Sequence, residues 1–214
     1  MAIRNRQCRA FTLIELSIVL VIIGLIIGGA LTGQQIIQNA RITNAINNLQ
    51  SYQAQFQTYQ QNYGALPGDD ASAVTRFGVG VTNGDGNGVI APSGQTTGLD
   101  TFTNPQSVPE SLGVWADLRA AGLVKNQIPL NAQPPNPFGG VYTFQNGAFS
   151  GSTAFTTTAL CMNNVPQAAA RAIDTQLDDG SPNSGIIQAS TAGLTGAPAT
   201  DYSASGPYVV CVRL

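Results

Sequence analysis

Four groups of residues have types and spacings that could do chemistry. In Asn83-Gly84-Asp85-Gly86-Asn87-Gly88-Val89-Ile90, oxygen side chains alternate at Asn83, Asp85 and Asn87. Gly88 and Ile90 fall where a calcium loop of EF-hand type has Gly and a hydrophobic residue. Gly94 stands where that loop has its bidentate Glu, so Asp69, Asp70 or Asp100 would have to bring the missing charge. Ca2+ is therefore the one cofactor the sequence offers. The competing reading is a plain Gly/Asn turn, which such sequences form for backbone reasons alone. Asp178-Asp179-Gly180-Ser181 reads more simply as a turn. Cys161 and Cys211 are either a disulfide or two buried thiols. Glu15 is a lone carboxylate in an apolar run, where a charge costs about 2–3 kcal/mol or more unless it is paired or at the edge.

Catalysis has little to stand on. The chain has no histidine, which removes the commonest general base and metal ligand. No Ser/His/Asp set, zinc spacing or phosphate-cradling loop of the usual form is present. None of the Gly-rich stretches follows a strand and opens a helix as dinucleotide loops do. An enzyme would have to rest on a carboxylate pair such as Asp69 and Asp70, and adjacent loop aspartates are more often solvated or metal-bound. The chain reads as a non-enzyme.

Composition narrows the class. Hydrophobic residues make up 43 %, enough for a core, but charged residues make up only 9 %, against roughly 25 % in ordinary domains. Gln, Asn, Ser, Thr and Gly supply the polarity instead, as suits a secreted or assembled protein. Three of the nine basic residues (Arg4, Arg6, Arg9) precede residue 11, which leaves six against eleven acidic ones. That acidic body disfavours nucleic acid as a partner, because phosphate-backbone binding needs clustered Lys and Arg.

The elements follow from periodicity. Residues 11–31 are apolar, and about 21 helical residues span ~31 Å, the thickness of a bilayer core. The basic flank ahead of them keeps the N-terminus in the cytoplasm and puts the rest outside. No proline interrupts the chain from there to Tyr63. Ile42, Ala45, Leu49, Tyr52, Phe56, Tyr59 and Tyr63 recur at spacings of three and four, one face of a helix. This predicts a single helix from Phe11 to Tyr63, stopped by Gly64 and Pro67. Its second half lays the stripe on a globular head; a coiled-coil seam is the alternative. Gly64–Pro109 reads as loop-rich. Pro109–Ala121 reads as a short amphipathic helix with Leu112, Trp115, Ala116 and Leu118 on one face. Pro166–Leu177 reads as another, with Ala168–Ala170 and Ile173 inward. Val141–Phe144, Ala154–Leu160, Gly185–Gln188 and Tyr208–Val212 read as strands. The economical fold class is α+β: a long N-terminal helix packed on a small antiparallel sheet.

The apolar run has competing explanations. A secretory signal would be shorter, with a small-x-small cleavage site after it. A plain single-pass anchor leaves Glu15 unexplained. A buried core helix leaves the basic leader unexplained. Arg9-Ala10-Phe11-Thr12-Leu13-Ile14-Glu15-Leu16 resembles the class III signal of type IV pilins and pseudopilins. The resemblance implies cleavage between Ala10 and Phe11 by a prepilin peptidase, then N-methylation of Phe11. Glu15 becomes the fifth mature residue and pairs in assembly with the terminal amine of a neighbouring subunit. Ala10 stands where the family usually has Gly. The domains implied are residues 1–10 (leader), 11–33 (transmembrane or filament-core helix), 34–63 (amphipathic helix entering the head) and 64–214 (pilin-like head). Cys8 leaves with the leader. A Cys161–Cys211 disulfide in an oxidising compartment agrees with the staple pilins often carry. Many family members have Pro near the twenty-second mature residue; here it is Thr32, and Gly28, Gly29 and Gly33 would supply the local weakness.

The resemblance implies a structural subunit of a type IV pilus, with copies of itself, the prepilin peptidase and the assembly machinery as partners. Its location would be the bacterial inner membrane before assembly, head periplasmic, and the extracellular pilus afterwards. The alternatives are a pseudopilin of a type II secretion system, a minor pilin with an adhesive role, and an anchored module that never polymerises.

Overall fold

The computed structural model describes residues 12–91, 101–102, 109–125, 129–152 and 154–214. Ala10, Phe11, Gly94 and Asp100 lie outside the described residues. Two compact units are present, residues 1–40 and residues 41–214.

Helix α1 (Leu13–Tyr63) runs 51 residues and crosses from the first unit into the second. It stops where Gly64 takes φ +67 and donates its N–H to Gln60 O at 2.9 Å, a left-handed C-terminal turn that glycine adopts without a Cβ penalty. In the first unit the apolar side chains from Leu13 to Ile27 are exposed. In the second unit the predicted stripe is the buried face: Ala45, Leu49, Phe56 and Tyr59 are buried, and Ile42, Tyr52 and Tyr63 half-buried. Ile46 joins them.

The stripe packs on a four-stranded antiparallel sheet of order β1-β2-β4-β3. The strands are β1 (Tyr142–Ala148), β2 (Phe155–Val165), β3 (Ile187–Ser190) and β4 (Tyr208–Arg213). Register puts Phe144, Leu160, Val212 and Ile187 in one row across the sheet, beside Tyr142, Met162, Val210 and Ala189 in the next row of that face, so the centre of this face is apolar. Phe56 stacks on Phe144 at 5.1 Å, and Tyr52 meets Trp115 edge-on at 5.0 Å. The first pair fixes the helix on the sheet and the second on the helix that carries Trp115, each with more than area alone. The adjacent row is Thr143, Cys161, Cys211 and Gln188 on the opposite face. There the Cys161–Cys211 disulfide is formed and packs with Phe149, Phe155 and Leu194 in a second apolar cluster.

The remaining helices are α2 (Ala73–Phe77), α3 (Pro109–Ala120) and α4 (Gln167–Leu177). Helix α2 lies inside the segment expected to be loop; five residues carry too little periodicity to stand out. Helix α3 is not amphipathic in place. Leu112, Trp115, Ala116 and Leu118 are buried as expected, but so are Glu110, Ser111, Asp117 and Arg119. Two of its polar side chains bond to backbone carbonyls of other elements: Ser111 donates to Phe144 O and Arg119 to Leu130 O. On α4 the inward residues are Ala169, Ala170, Ile173 and Asp174, whereas Ala168 is exposed.

Two strands run longer than alternation predicts, because burial on both faces hides it: every residue of β1 is buried. Its outer edge is covered, with Asn146 N–H donating to Ile90 O and Tyr142 N–H to Pro134 O, 2.8 and 2.9 Å, which closes the sheet to further pairing. Strand β3 begins at Ile187 rather than Gly185, because Asp178 Oδ2 accepts the Ile186 and Ile187 N–H groups at 2.6 and 2.8 Å and holds that stretch as a turn.

Candidate functional site

The N-terminus of α1 is built by Thr12 and Glu15. Glu15 Oε2 accepts the Thr12 backbone N–H at 2.8 Å and the Thr12 hydroxyl at 2.9 Å. The Glu15 N–H returns to Thr12 Oγ1 at 3.3 Å. This is a capping box, with Thr at the cap and Glu three residues on, each satisfying an N–H that a helix start would leave unpaired. The Thr-x-x-Glu spacing ahead of an apolar run was legible in the sequence as a helix start, and motif reading alone missed it. Both bonds fall on Oε2. The carboxylate also sits in the positive end of the helix dipole.

Beyond the cap, α1 is long and apolar enough to cross a membrane. A Cβ added at Gly24, Gly28, Gly29 or Gly33 would meet nothing within 4 Å. The chain's own packing therefore gives no reason for glycine there. Thr32 Oγ1 donates to Gly28 O at 3.1 Å, a back-bond that slightly weakens and bends helices.

In the head, the acidic loop is organised around Asp69 and Glu110 rather than around Asn83 and Asn87. Asp69 Oδ1 accepts the Gly86 and Asn87 N–H groups at 2.7 and 3.1 Å, and Oδ2 accepts that of Gly88 at 2.7 Å. Glu110 accepts the Asp85 and Ala91 N–H groups at 3.3 and 3.0 Å. Asn83 Oδ1 accepts the Val74 N–H at 2.8 Å and so serves the first turn of α2. Asn87 Oδ1 accepts the Val89 N–H at 2.8 Å. The fold instead brings Asp69, Asp85 and Glu110 together, with a carboxylate oxygen of each within 4.8 Å of the others. Burial pushes the Asp69 and Glu110 carboxyls up, while their N–H donors act in the opposite sense. Asp70 is not in this trio. It takes Arg76, the Tyr59 hydroxyl at 2.9 Å and the Ser72 N–H at 2.8 Å, so Asp69 and Asp70 face different partners.

Asp178 and Asp179 shape the turn that the sequence predicts, Asp179 accepting the Ser181 N–H and the Ser184 hydroxyl at 2.8 and 2.6 Å. Asp174 joins them in a second carboxylate group, but its own oxygens accept the Tyr202 hydroxyl at 2.6 Å and the Gly180 N–H at 3.1 Å.

No curated protein matches the chain. The family described as Prokaryotic N-terminal methylation motif matches residues 5–31, the stretch that holds the basic leader, the Thr12–Glu15 cap and most of the apolar helix. The chain thus carries the class III signal of type IV pilins and pseudopilins, ahead of a head in which the helix lies on a four-stranded antiparallel sheet.

Proposed function

We propose that this chain is the structural subunit of a type IV pilus filament. It is stored in the inner membrane by residues 11–33, cut between Ala10 and Phe11 by prepilin peptidase, methylated on Phe11 and polymerised with copies of itself by the assembly machinery. The observation that carries this reading is the exposed apolar helix with Glu15 at its start. An apolar surface that the chain's own fold does not bury has to be covered by lipid or by other helices. The cap on Thr12 would serve a plain anchor as well; the filament reading adds a use for the charge of Glu15. Once the leader is gone, the new amine of Phe11 supplies a cation for Glu15, and an isolated charge becomes a device for register. The glycines at 24, 28, 29 and 33 support close approach of neighbouring helices, since nothing within the chain needs them.

A pseudopilin of a type II secretion system uses the same processing and the same helix, and is the second reading; an adhesive minor pilin is the third. Shearing separates them. Intact mass of material sheared from cells, with N-terminal fragmentation, is expected to give a chain starting at methylated Phe11 and two hydrogens lighter through Cys161–Cys211. The same mature chain found only in the cell envelope supports the secretion piston. A chain that keeps residues 1–10, or is cut after the apolar run, overturns both.

The Ca2+ proposal moves to Asp69, Asp85 and Glu110, because these three bring carboxylate oxygens within 4.8 Å of one another and supply the charge that the neutral amides of Asn83 and Asn87 do not. Calorimetric titration of the full chain with Ca2+ tests it; no heat and no rise in melting temperature ends it.

A further inference from the structure

Two buried carboxylates and one guanidinium meet where the segment after α1 crosses α3. Asp70 takes the guanidinium of Arg76, the Tyr59 hydroxyl and the Ser72 N–H. Asp117, fully buried on α3, has one donor, the Gly68 N–H, on Oδ2 at 2.7 Å. Its Oδ1 has no hydrogen-bond partner among the described residues. The crossing leaves no slack. A Cβ on Gly68 would lie 2.9 Å from Val114 N, and one on Gly113 3.2 Å from Gly68 Cα.

The charged groups around Asp117 are already engaged. Arg76 of α2 is bonded to Asp70. Tyr59 of α1 donates to Asp70. On α3 itself, Glu110 accepts the Asp85 and Ala91 N–H groups, and Arg119 donates to Leu130 O. One cation therefore serves two buried carboxylates, and it is bonded to Asp70.

We propose that Asp117 carries a proton while residues 66–70 are seated on α3, and that its ionisation unseats them, so that this joint responds to pH. Burial is the main cause that pushes the Asp117 carboxyl up to about 7, with repulsion from Asp70 adding; the Gly68 N–H and Arg76 pull the other way. The folded value lies above the ordinary 3.8. The contribution to the seated form is therefore complete at acid pH and is lost as pH rises through about 7. Between the ordinary 3.8 and that point the ratio of seated to open falls about tenfold per pH unit, and above it the ratio is level. The joint lies wholly within the head and is independent of polymerisation.

The test is hydrogen exchange at the Gly68 amide of the full chain in detergent micelles from about pH 4 to pH 8, corrected for intrinsic base catalysis. It is paired with a carbon-detected titration of the Asp117 carboxyl. Expected are a carboxyl that titrates near 7 and a Gly68 protection that falls about tenfold per pH unit as pH rises toward 7 and levels off above it, with the slope gone in Asp117→Asn. A carboxyl titrating in the ordinary aspartate range, or protection with no slope between about pH 4 and pH 7, overturns the proposal. The wild-type titration decides it even where the variant does not fold.

Discussion

Glu15 and Thr12 satisfy each other at the start of α1, and both bonds from Thr12 end on one oxygen of the carboxylate. The residue expected to pair with a neighbour's amine thus also has a task within its own chain. The two tasks separate by substitution. Glu15→Gln keeps an acceptor for the cap and loses the charge; Glu15→Ala loses both. Both variants are expected to remain membrane-inserted. Both should lose at least about tenfold in sheared filament, the effect of ~1.4 kcal/mol on an assembly equilibrium. Wild-type yield from Glu15→Gln would assign the residue to capping alone.

Asp69 is buried and is held by three backbone N–H groups of the 86–88 turn. Asp69→Ala leaves those donors without an acceptor. Unmade buried hydrogen bonds cost about 1–3 kcal/mol each, with solvent entry reducing the sum. A loss of roughly 3 kcal/mol is expected in denaturant unfolding of the full chain in micelles. A loss under ~1 kcal/mol would mean that water replaces the carboxylate.

Cys161 and Cys211 sit directly opposite each other on neighbouring strands, 50 residues apart in sequence. Closing a loop of that length removes unfolded-state entropy worth about 4 kcal/mol. Cys161→Ala with Cys211→Ala is expected to lower the melting temperature by roughly 10 °C, at about 2–4 °C per kcal/mol for a domain of this size. Scanning calorimetry measures it, and an unchanged midpoint would show that the apolar cluster around the pair holds the sheet alone.

The pH profile of stability should pass through a maximum on the acid side of neutrality. Burial raises the carboxyls of Asp69, Glu110, Asp117 and Asp174. Each contributes stability that is present at low pH and lost as pH rises through its folded value, which for Asp117 is about 7. Asp179 acts in the opposite sense. Ser184 and Ser181 hold its carboxyl below 3.8, so its contribution is present above 3.8 and lost on further acidification. Thermal melts are expected to rise from pH 8 to about pH 5 and to fall again below about pH 4. A monotonic rise toward alkaline pH would contradict the burial of these groups.

Gly84 and Gly28 should part company as alanine. A Cβ at Gly84 would lie 2.6 Å from Gly68 O, a backbone atom that cannot swing away. At Gly28 it meets nothing within 4 Å. Gly84→Ala is expected to destabilise the head by about 2 kcal/mol or more. Gly28→Ala should leave the head's melting unchanged and act only on filament yield, by shearing assay. A head melting point shifted by Gly28→Ala would place an undetected contact there.

The amino-acid sequence by itself determined the class of the N-terminus, the span of the long helix and the face by which it packs. Those properties are local. A basic leader, an unbroken apolar run and the stripe from Ile42 to Tyr63 are all read within a few turns of one helix. The strand positions were legible to within a few residues, and their ends were not, because β1 is buried on both faces and shows no alternation. Only the tertiary structure decided which polar residues meet. It set Glu110 of α3 beside Asp69 and Asp85, gave Asn83 to α2, and left Asp117 with a single donor. These pairings join separate segments of the chain, across a backbone crossing that leaves no room for a side chain at Gly68 or Gly84. No periodicity encodes them, since a buried polar contact is fixed by the geometry of the packed elements and not by the order of residues along either one.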